Sequence, residues 1–330
     1  MNRFVSVLLL LAALASLGAA GRMHPRLLEM RRAAHLNQGD PLGDARPLVA
    51  FSTVALGAFR GLAVDLLWMR ATELQDKGRY FELVQLADWI TKLQPRFASI
   101  WAYQSWNLSY NVSVMFSEPA DRWRWVRHGI SLLRDEGLRY NPGSPMLYRE
   151  LAWTFQHKLG GDSDTAHRYY KRMWAAEMED LFGGPRPDLE TLAALPASAE
   201  DLLREPAVAA LARDLRAAGA DPLDARWLAP DGGPAEGRAR MASDPAGARL
   251  RAWLRARRMR EQYRLDPAAM LETERRYGPL EWRLPQAHAV HWCLQGMRWA
   301  PADDDRIPLQ RQIFQAMADS FLRGRLTRDP

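Results

Sequence analysis

Two histidines three residues apart, His288 and His291, are the residues of this chain best spaced for chemistry. On a helix that spacing puts both imidazoles on one face, within reach of a single metal ion. Asp303, Asp304 and Asp305 follow closely. A third ligand of fixed geometry is not specified, however, and acids before an apolar run equally cap a helix. His157 and His167, with Asp162 and Asp164 between them, form a looser set that reads as a turn joining two helices. Glu177, Glu179 and Asp180 read as a solvated helix end. The single cysteine, Cys293, sits beside Trp292 in a helical pattern and reads as a buried thiol. It excludes an internal disulfide and a cysteine-based metal site. No phosphate-cradling Gly-rich loop with lysine, no G-x-S-x-G elbow and no H-E-x-x-H occurs. No catalytic, metal-binding or cofactor-binding residue is therefore assigned, and the chain is not read as an enzyme. Metal-assisted hydrolysis at His288 and His291 is the alternative.

The elements that would position such residues are legible as helices. Val64 to Phe97 spans thirty-four residues. Positions 64 to 77 lack Pro and Gly, and Gly78 stands where the chain must leave a helix through a left-handed conformation. A second helix runs from about Phe81 to Leu93, with Leu83, Ala87 and Ile90 on one face, and Pro95 stops it. The pattern recurs. Trp101, Ser105 and Leu108 share a face, and the small Ser105 admits a close neighbour. After an insertion around Phe116 to Ala120, Trp123, Val126, Ile130, Leu133 and Gly137 form the partner face, ending at Pro142. A third unit carries Tyr148, Leu151, Ala152 and Phe155, then Ala166, Tyr170 and Met173.

Residues 64 to about 178 resemble the tetratricopeptide repeat superfamily. The likeness rests on Gly78, Tyr80 and Pro95, on Trp101 and Pro142, and on Tyr148, Leu151, Ala152, Phe155, Ala166 and Tyr170. Arg70 and Leu83 depart from that pattern, and the second unit is longer than the norm. The string from Leu56 to Trp174 also resembles membrane-anchored bacterial proteins with such repeats, a likeness that implies no activity. The fold implied is an all-α, tetratricopeptide-like helical-repeat solenoid of antiparallel helix pairs, with an N-terminal hydrophobic helix. Three units reach the number that gives such stacks stability. In the superfamily the inner surface is lined by the first helix of each unit. Mapped by helical phase, this gives Trp68, Met69 and Thr72, then Tyr103, Trp106 and Tyr110, then Arg149, Glu150, Trp153 and His157. Aromatic anchors of this kind suit an apolar or Pro-rich segment of another protein. Packing against the inserted segment or the C-terminal helices is the plainer account of the same residues. Eight of the thirteen tryptophans lie between Trp68 and Trp174, and core packing explains aromatics at helical spacing first. Asn107 and Asn111 each open an N-x-S triplet inside a helical pattern, where side-chain hydrogen bonds account for them.

At the N-terminus, Phe4 to Ala20 is an apolar run near the short limit for a spanning helix. Gly18 and Ala20 suit signal cleavage after Ala20, which would release the body to the periplasm. Arg22, Arg26, Arg31 and Arg32 after the run favour a cytoplasmic body. The reading taken is a bacterial envelope protein anchored by residues 4–20. Residues 22–47 look like a tether, and 48–182 hold the repeats, led in by an amphipathic stretch from Leu48 to Met69.

Residues 183–248 shift to Ala, Pro, Gly, Asp and Arg and read as an insertion or linker. One helix is expected inside, from Pro206 with Val208, Leu211 and Leu215 on a face to Gly219, followed by mostly loop from Ala220 to Gly247. Region 249–330 is helical. Its first helix is basic: Arg249, Arg251, Arg255, Arg257, Arg258, Arg260 and Arg264 stand against only Glu261, with Leu250, Trp253, Leu254 and Tyr263 as an apolar side. Pairing with acids elsewhere explains such a face; contact with an anionic membrane surface is the functional alternative. The net charge of +6 on 330 residues, with no groove-reading motif, does not point to nucleic acid. Ala287, Val290, Leu294 and Met297, then Ile313, Phe314, Met317 and Phe321, predict one further antiparallel pair, returning to stack on the repeats.

Overall fold

The computed structural model describes residues 30, 59–229, 232–300 and 303–323. The proposed anchor at 4–20, the tether at 22–47 apart from Met30, and the beginning of the lead-in lie outside the described residues. Among the described residues every regular element is helical and none is a strand. The chain divides into two units, Met1–Arg60 and Gly61–Pro330. All the packing considered below lies within the second.

Helix α1 spans Phe59–Asp76 and α2 Tyr80–Leu93. The turn between them is built as the sequence requires. Gly78 is left-handed at φ 66°, its N–H reaches the Gln75 carbonyl, and Arg79 N–H reaches back to Leu74. That pair of bonds is the glycine-closed helix end. Leu83, Ala87 and Ile90 are buried on the inner face of α2.

Helix α3 begins at Ala98–Trp106 and continues through a π-helical turn, Asn107–Val112. Helix α4 covers Pro119–Ser131, then a π turn at Leu132–Gly137 and a last turn at Leu138–Tyr140. Helix α5 covers Pro145–Trp153 and a third π turn, Thr154–Leu159, where Gly160 N–H bonds the Phe155 carbonyl. Helix α6 is His167–Phe182. Packing follows chain order: α2 on α3, α3 on α4 and on α5, α4 on α6. The close approach expected at Ser105 is present. Its Oγ donates to the Gly129 carbonyl at 2.8 Å, and a Cβ at Gly129 would stand 2.2 Å from Ser109 Oγ. Two faces follow the predicted residues, Trp123/Val126/Ile130/Leu133 and Tyr148/Leu151/Ala152/Phe155. On α6 the prediction shifts by one: Met173 is exposed, and Tyr170, Trp174, Met178 and Leu181 carry the buried face.

Residues 183–248 hold more structure than one helix. Short helices α7 (Leu189–Ala193) and α8 (Ala199–Arg204) precede the expected α9, Pro206–Ala217, and α10 covers Ala235–Ser243. The stretch predicted as mostly loop is pinned by Trp227. Its indole donates to the Asp221 carbonyl at 2.8 Å, and Gly233 and Gly237 lie so close to its ring that no Cβ would fit. α7, α9 and α10 pack on the basic helix α11, Pro245–Tyr263, and Leu189, Leu192, Leu211, Leu215 and Met241 belong to the same core as the repeats.

Helix α12 is Pro267–Tyr277, α13 Pro285–Met297 and α14 Asp303–Arg323. α13 and α14 form the expected pair, and α13 lies along α5 and its π turn. The predicted apolar face of α14 is corrected. Phe314 is 75% exposed and Phe321 90%, whereas Leu309, Gln312, Ile313 and Ala316 face inward. The physical reason is phase. Leu309, Gln312, Ile313 and Ala316 stand at i, i+3, i+4 and i+7, the stripe that meets α13 and α5, and Phe314 and Phe321 lie round the helix from it.

Candidate functional site

Of the ten residues mapped to the inner surface, the structure joins most of them in two aromatic groups. Trp68 on α1 meets Tyr103 on α3 at 5.7 Å between ring centres, and Tyr103 O–H donates to Gln75 at 2.7 Å. Further along α3, Trp106 stacks on Tyr110 at 6.0 Å and 20°. Tyr110 meets His157 of α5 at 5.8 Å, with a 3.2 Å hydrogen bond from its hydroxyl oxygen to His157 Nδ1. His157 in turn lies flat on Trp153, 4.8 Å and 10° apart. The result is a row, Trp106–Tyr110–His157–Trp153, across two helices. Its ends are open, with Trp106 41% and Trp153 39% exposed. Its middle is held: burial raises the Tyr110 pKa, and Lys158 Nζ stands 5.0 Å from the centre of the Tyr110 ring.

Two of the three π turns supply the middle of this row. Tyr110 and His157 both sit in them. Each π turn adds a residue to its helical turn and re-aims the side chains beyond it. Asn107 and Asn111, expected to bond within the helix, do so at 2.9 Å.

The remaining mapped residues stand apart. Met69 and Thr72 are exposed on α1, and Thr72 Oγ bonds its own helix at Trp68. Arg149 and Glu150 pair with each other at 3.0 Å. The Arg149 carbonyl accepts from Gln312 of α14 at 3.4 Å. Together with Trp153 they line a cavity of about 530 Å³ closed on its far side by Ile307, Pro308 and Arg311. At the third unit, then, part of the mapped surface is walled by the C-terminal pair.

His288 and His291 are fully buried, and their surroundings are aromatic. His288 stacks on Phe155 at 5.1 Å and meets Trp174 and Trp282 edge-on. Its Nε2–H donates to the Trp282 carbonyl at 2.8 Å. Thr273 gives its hydroxyl proton to Ala269, so His291 Nδ1–H donates to Thr273 Oγ at 3.0 Å. Burial drives both imidazole pKa values down to about 3. Among the described residues no three His, Cys, Asp or Glu side chains converge as metal ligands. Asp303 to Asp305 have side chains outside the described residues. Cys293 is buried, and burial raises its pKa.

The basic helix is largely paired. Arg249 binds Glu205 at 2.6 Å, Arg258 binds Asp180 at 2.7 Å, Arg260 binds Asp266 at 3.0 Å, and Arg257 binds Glu261 at 2.9 Å. Arg251 donates to the Met241 carbonyl. The end of α6 read as solvated is exposed at Glu179 and Asp180, whereas Glu177 is half-buried and bonded. Glu177 accepts from Arg127 at 2.8 Å and from Tyr263 O–H at 2.7 Å, and Asp180 holds Arg258.

Three features were not read from the sequence. Asp164 is buried between Lys158 at 2.6 Å and Arg122 at 3.0 Å, and it also accepts from Ala166 N–H. Burial opposes its charge, yet these bonds and charges hold its carboxyl below the usual range, while burial lowers Lys158. A second aromatic cluster, Phe81, Phe116 and Trp125, joins α2 to α4, and the break at Phe116 was its only signal. The third is the gathering of Arg134, Arg139 and Arg298 around Arg264, of which the sequence singled out only Arg264, in the basic helix.

The fold and site define an all-helical protein with an open aromatic row and sealed histidines. Compared with protein-family models, with curated proteins and with solved structures, the chain matches none of them.

Proposed function

We propose that this chain is a membrane-associated scaffold of tetratricopeptide-like repeats that binds other proteins and carries out no catalysis. Helix pairs α1/α2, α3/α4, α5/α6 and α13/α14 are read as stacked repeats. The chain-order packing from α2 to α6, the shared cluster of Ala71 and Leu74 with Leu83, and the seating of α13 along α5 support that reading. The observation that carries the binding role is the aromatic row. Trp106 and Trp153 leave large ring area in water while Tyr110 and His157 hold them in register. Rings that are already fixed lose little freedom on binding, and an apolar or Pro-rich segment of a partner protein would cover them. Membrane attachment is assigned to residues 4–20, with the body in the bacterial cell envelope. Among the described residues no helix is long and apolar enough to cross a membrane.

The test is affinity capture from the native cell with the wild-type chain and with a Trp106→Ala, Trp153→Ala double variant. Specific partners lost from the variant while its helical content and melting temperature persist would support the row. Partners retained unchanged on a folded variant would refute it.

A further inference from the structure

Several helices end with the chain turning out through a left-handed residue. At the ends of α1, α6 and α9 that residue is glycine, Gly78, Gly183 and Gly219, at φ 66°, 68° and 74°. At the end of α11 it is Arg264, at φ 53°, the one non-glycine with positive φ among the described residues. Leu265 N–H reaches back to the Met259 carbonyl at 3.0 Å, one residue further than the equivalent bond at each of the three glycines, so this turn is wider. A side chain in this conformation crowds its own backbone, and glycine would relieve it. An arginine kept there places its guanidinium where the strained turn puts it.

That place is the wall of a cavity of about 400 Å³ between the end of α4, the α11–α12 turn and α13. Arg134, Arg139 and Arg298 line it with Arg264. The only carboxylate in the lining among the described residues, Asp266, is already occupied by Arg260 and by the first turn of α12. Arg134 is held by Asp135 and Arg298 by Glu272, acids that do not line the cavity, and Arg264 has no carboxylate partner among the described residues. Trp292 and Gln295 of α13 complete the wall.

Guanidinium groups around a space whose one carboxylate is already taken favour a negatively charged occupant. Oxyanions fit, since they carry charge and several lone pairs for N–H donors. Leu138 and Tyr148 on the same wall leave room for a small apolar body.

We propose that this cavity binds a phosphate or carboxylate oxyanion, on a small molecule or a lipid headgroup, through Arg264 and Arg298. The site does not depend on the aromatic row.

Isothermal titration of the full chain with pyrophosphate and with citrate tests it. Saturable binding is expected. Arg264→Gly and Arg298→Ala should each weaken it at least about tenfold, the scale of one lost charge-assisted bond. Arg264→Gly should melt at or above the wild-type temperature, because glycine relieves the turn. Arg275→Ala, whose side chain pairs with Glu190 on the surface, should bind as wild type. Flotation with phosphatidylglycerol against phosphatidylcholine vesicles separates the sources. Flotation displaced by pyrophosphate and lost in Arg264→Gly assigns a headgroup; binding of soluble anions without flotation assigns a free ligand. No saturable binding of either anion up to about 10 mM, or equal binding by folded Arg264→Gly and Arg298→Ala variants, overturns the proposal.

Discussion

Of the places in this molecule where histidine meets tryptophan, two are opposites. His157 lies flat on Trp153 at 4.8 Å, with the tryptophan half in water. His288 lies among Phe155, Trp174 and Trp282 with no exposure at all. The sequence spacing drew attention to the second pair, His288 and His291, as the place for chemistry. The surroundings reverse that emphasis. An imidazole without water, with Nε2–H bonded to a carbonyl, behaves as a polar core residue, whereas a half-open stack can meet another molecule. Residue type names a possibility; burial decides which one is realised.

The largest expected separation between the two is in stability. His288→Ala empties a space lined by three large rings and should cost about 3–5 kcal/mol, as for a buried aromatic truncated to alanine. His157→Ala should cost under about 1 kcal/mol, the range for a partly open position. Urea unfolding of both variants reads the difference. Equal costs would remove the distinction.

Acid provides the next largest effect. The folded pKa of His288 and of His291 is depressed to about 3, below the ordinary imidazole value near 6.5. Between these values the unfolded chain binds more protons than the folded one. Stability contributed by the neutral buried rings is therefore fully present above about pH 6.5 and is lost as pH falls toward 3. A drop of about 2–4 kcal/mol from pH 7 to pH 5 is expected, and His288→Gln should remove roughly half of it. A pH-independent stability over that range would contradict the burial of both rings.

A smaller effect tests what supports the open row. Gly129 of α4 lies against the π turn that carries Tyr110, with room for no Cβ beside Ser109 and Ser105. Gly129→Ala should cost about 1–3 kcal/mol, the range for overpacking. It should also disturb the Trp106–Tyr110 stack, seen as a change in near-ultraviolet circular dichroism. Unchanged stability and spectrum would mean that α3 and α4 do not approach closely.

Much of the helical layout was legible. Gly78 announced its turn, and Leu83, Ala87 and Ile90 announced a buried face, because local geometry alone sets both. What failed shares one cause: a helix face cannot be placed without the neighbours that pack on it. On α14 the apolar residues Phe314 and Phe321 face outward, because Leu309, Gln312, Ile313 and Ala316 form the stripe that meets α13 and α5. At the end of α6, Glu179 and Asp180 are exposed as read, but Glu177 is half-buried because its partners, Arg127 and Tyr263, come from distant parts of the chain. The π turns at Asn107–Val112, Leu132–Gly137 and Thr154–Leu159 are marked by no residue type. Of the mapped surface residues, Trp106, Tyr110, Trp153 and His157 were brought together, whereas Met69, Thr72, Arg149 and Glu150 stand outside the row.

The central claim is that the row, and not exposure alone, makes the binding surface. Trp89 is the natural control, since it is 62% exposed and lies outside the row. A photoreactive benzoylphenylalanine replacing Trp106 in one strain and Trp89 in another, irradiated in the native cell, tests it most directly. A discrete crosslinked partner protein is expected from position 106 and none of that partner from position 89. The same adduct from both positions, or from position 89 alone, would contradict the claim.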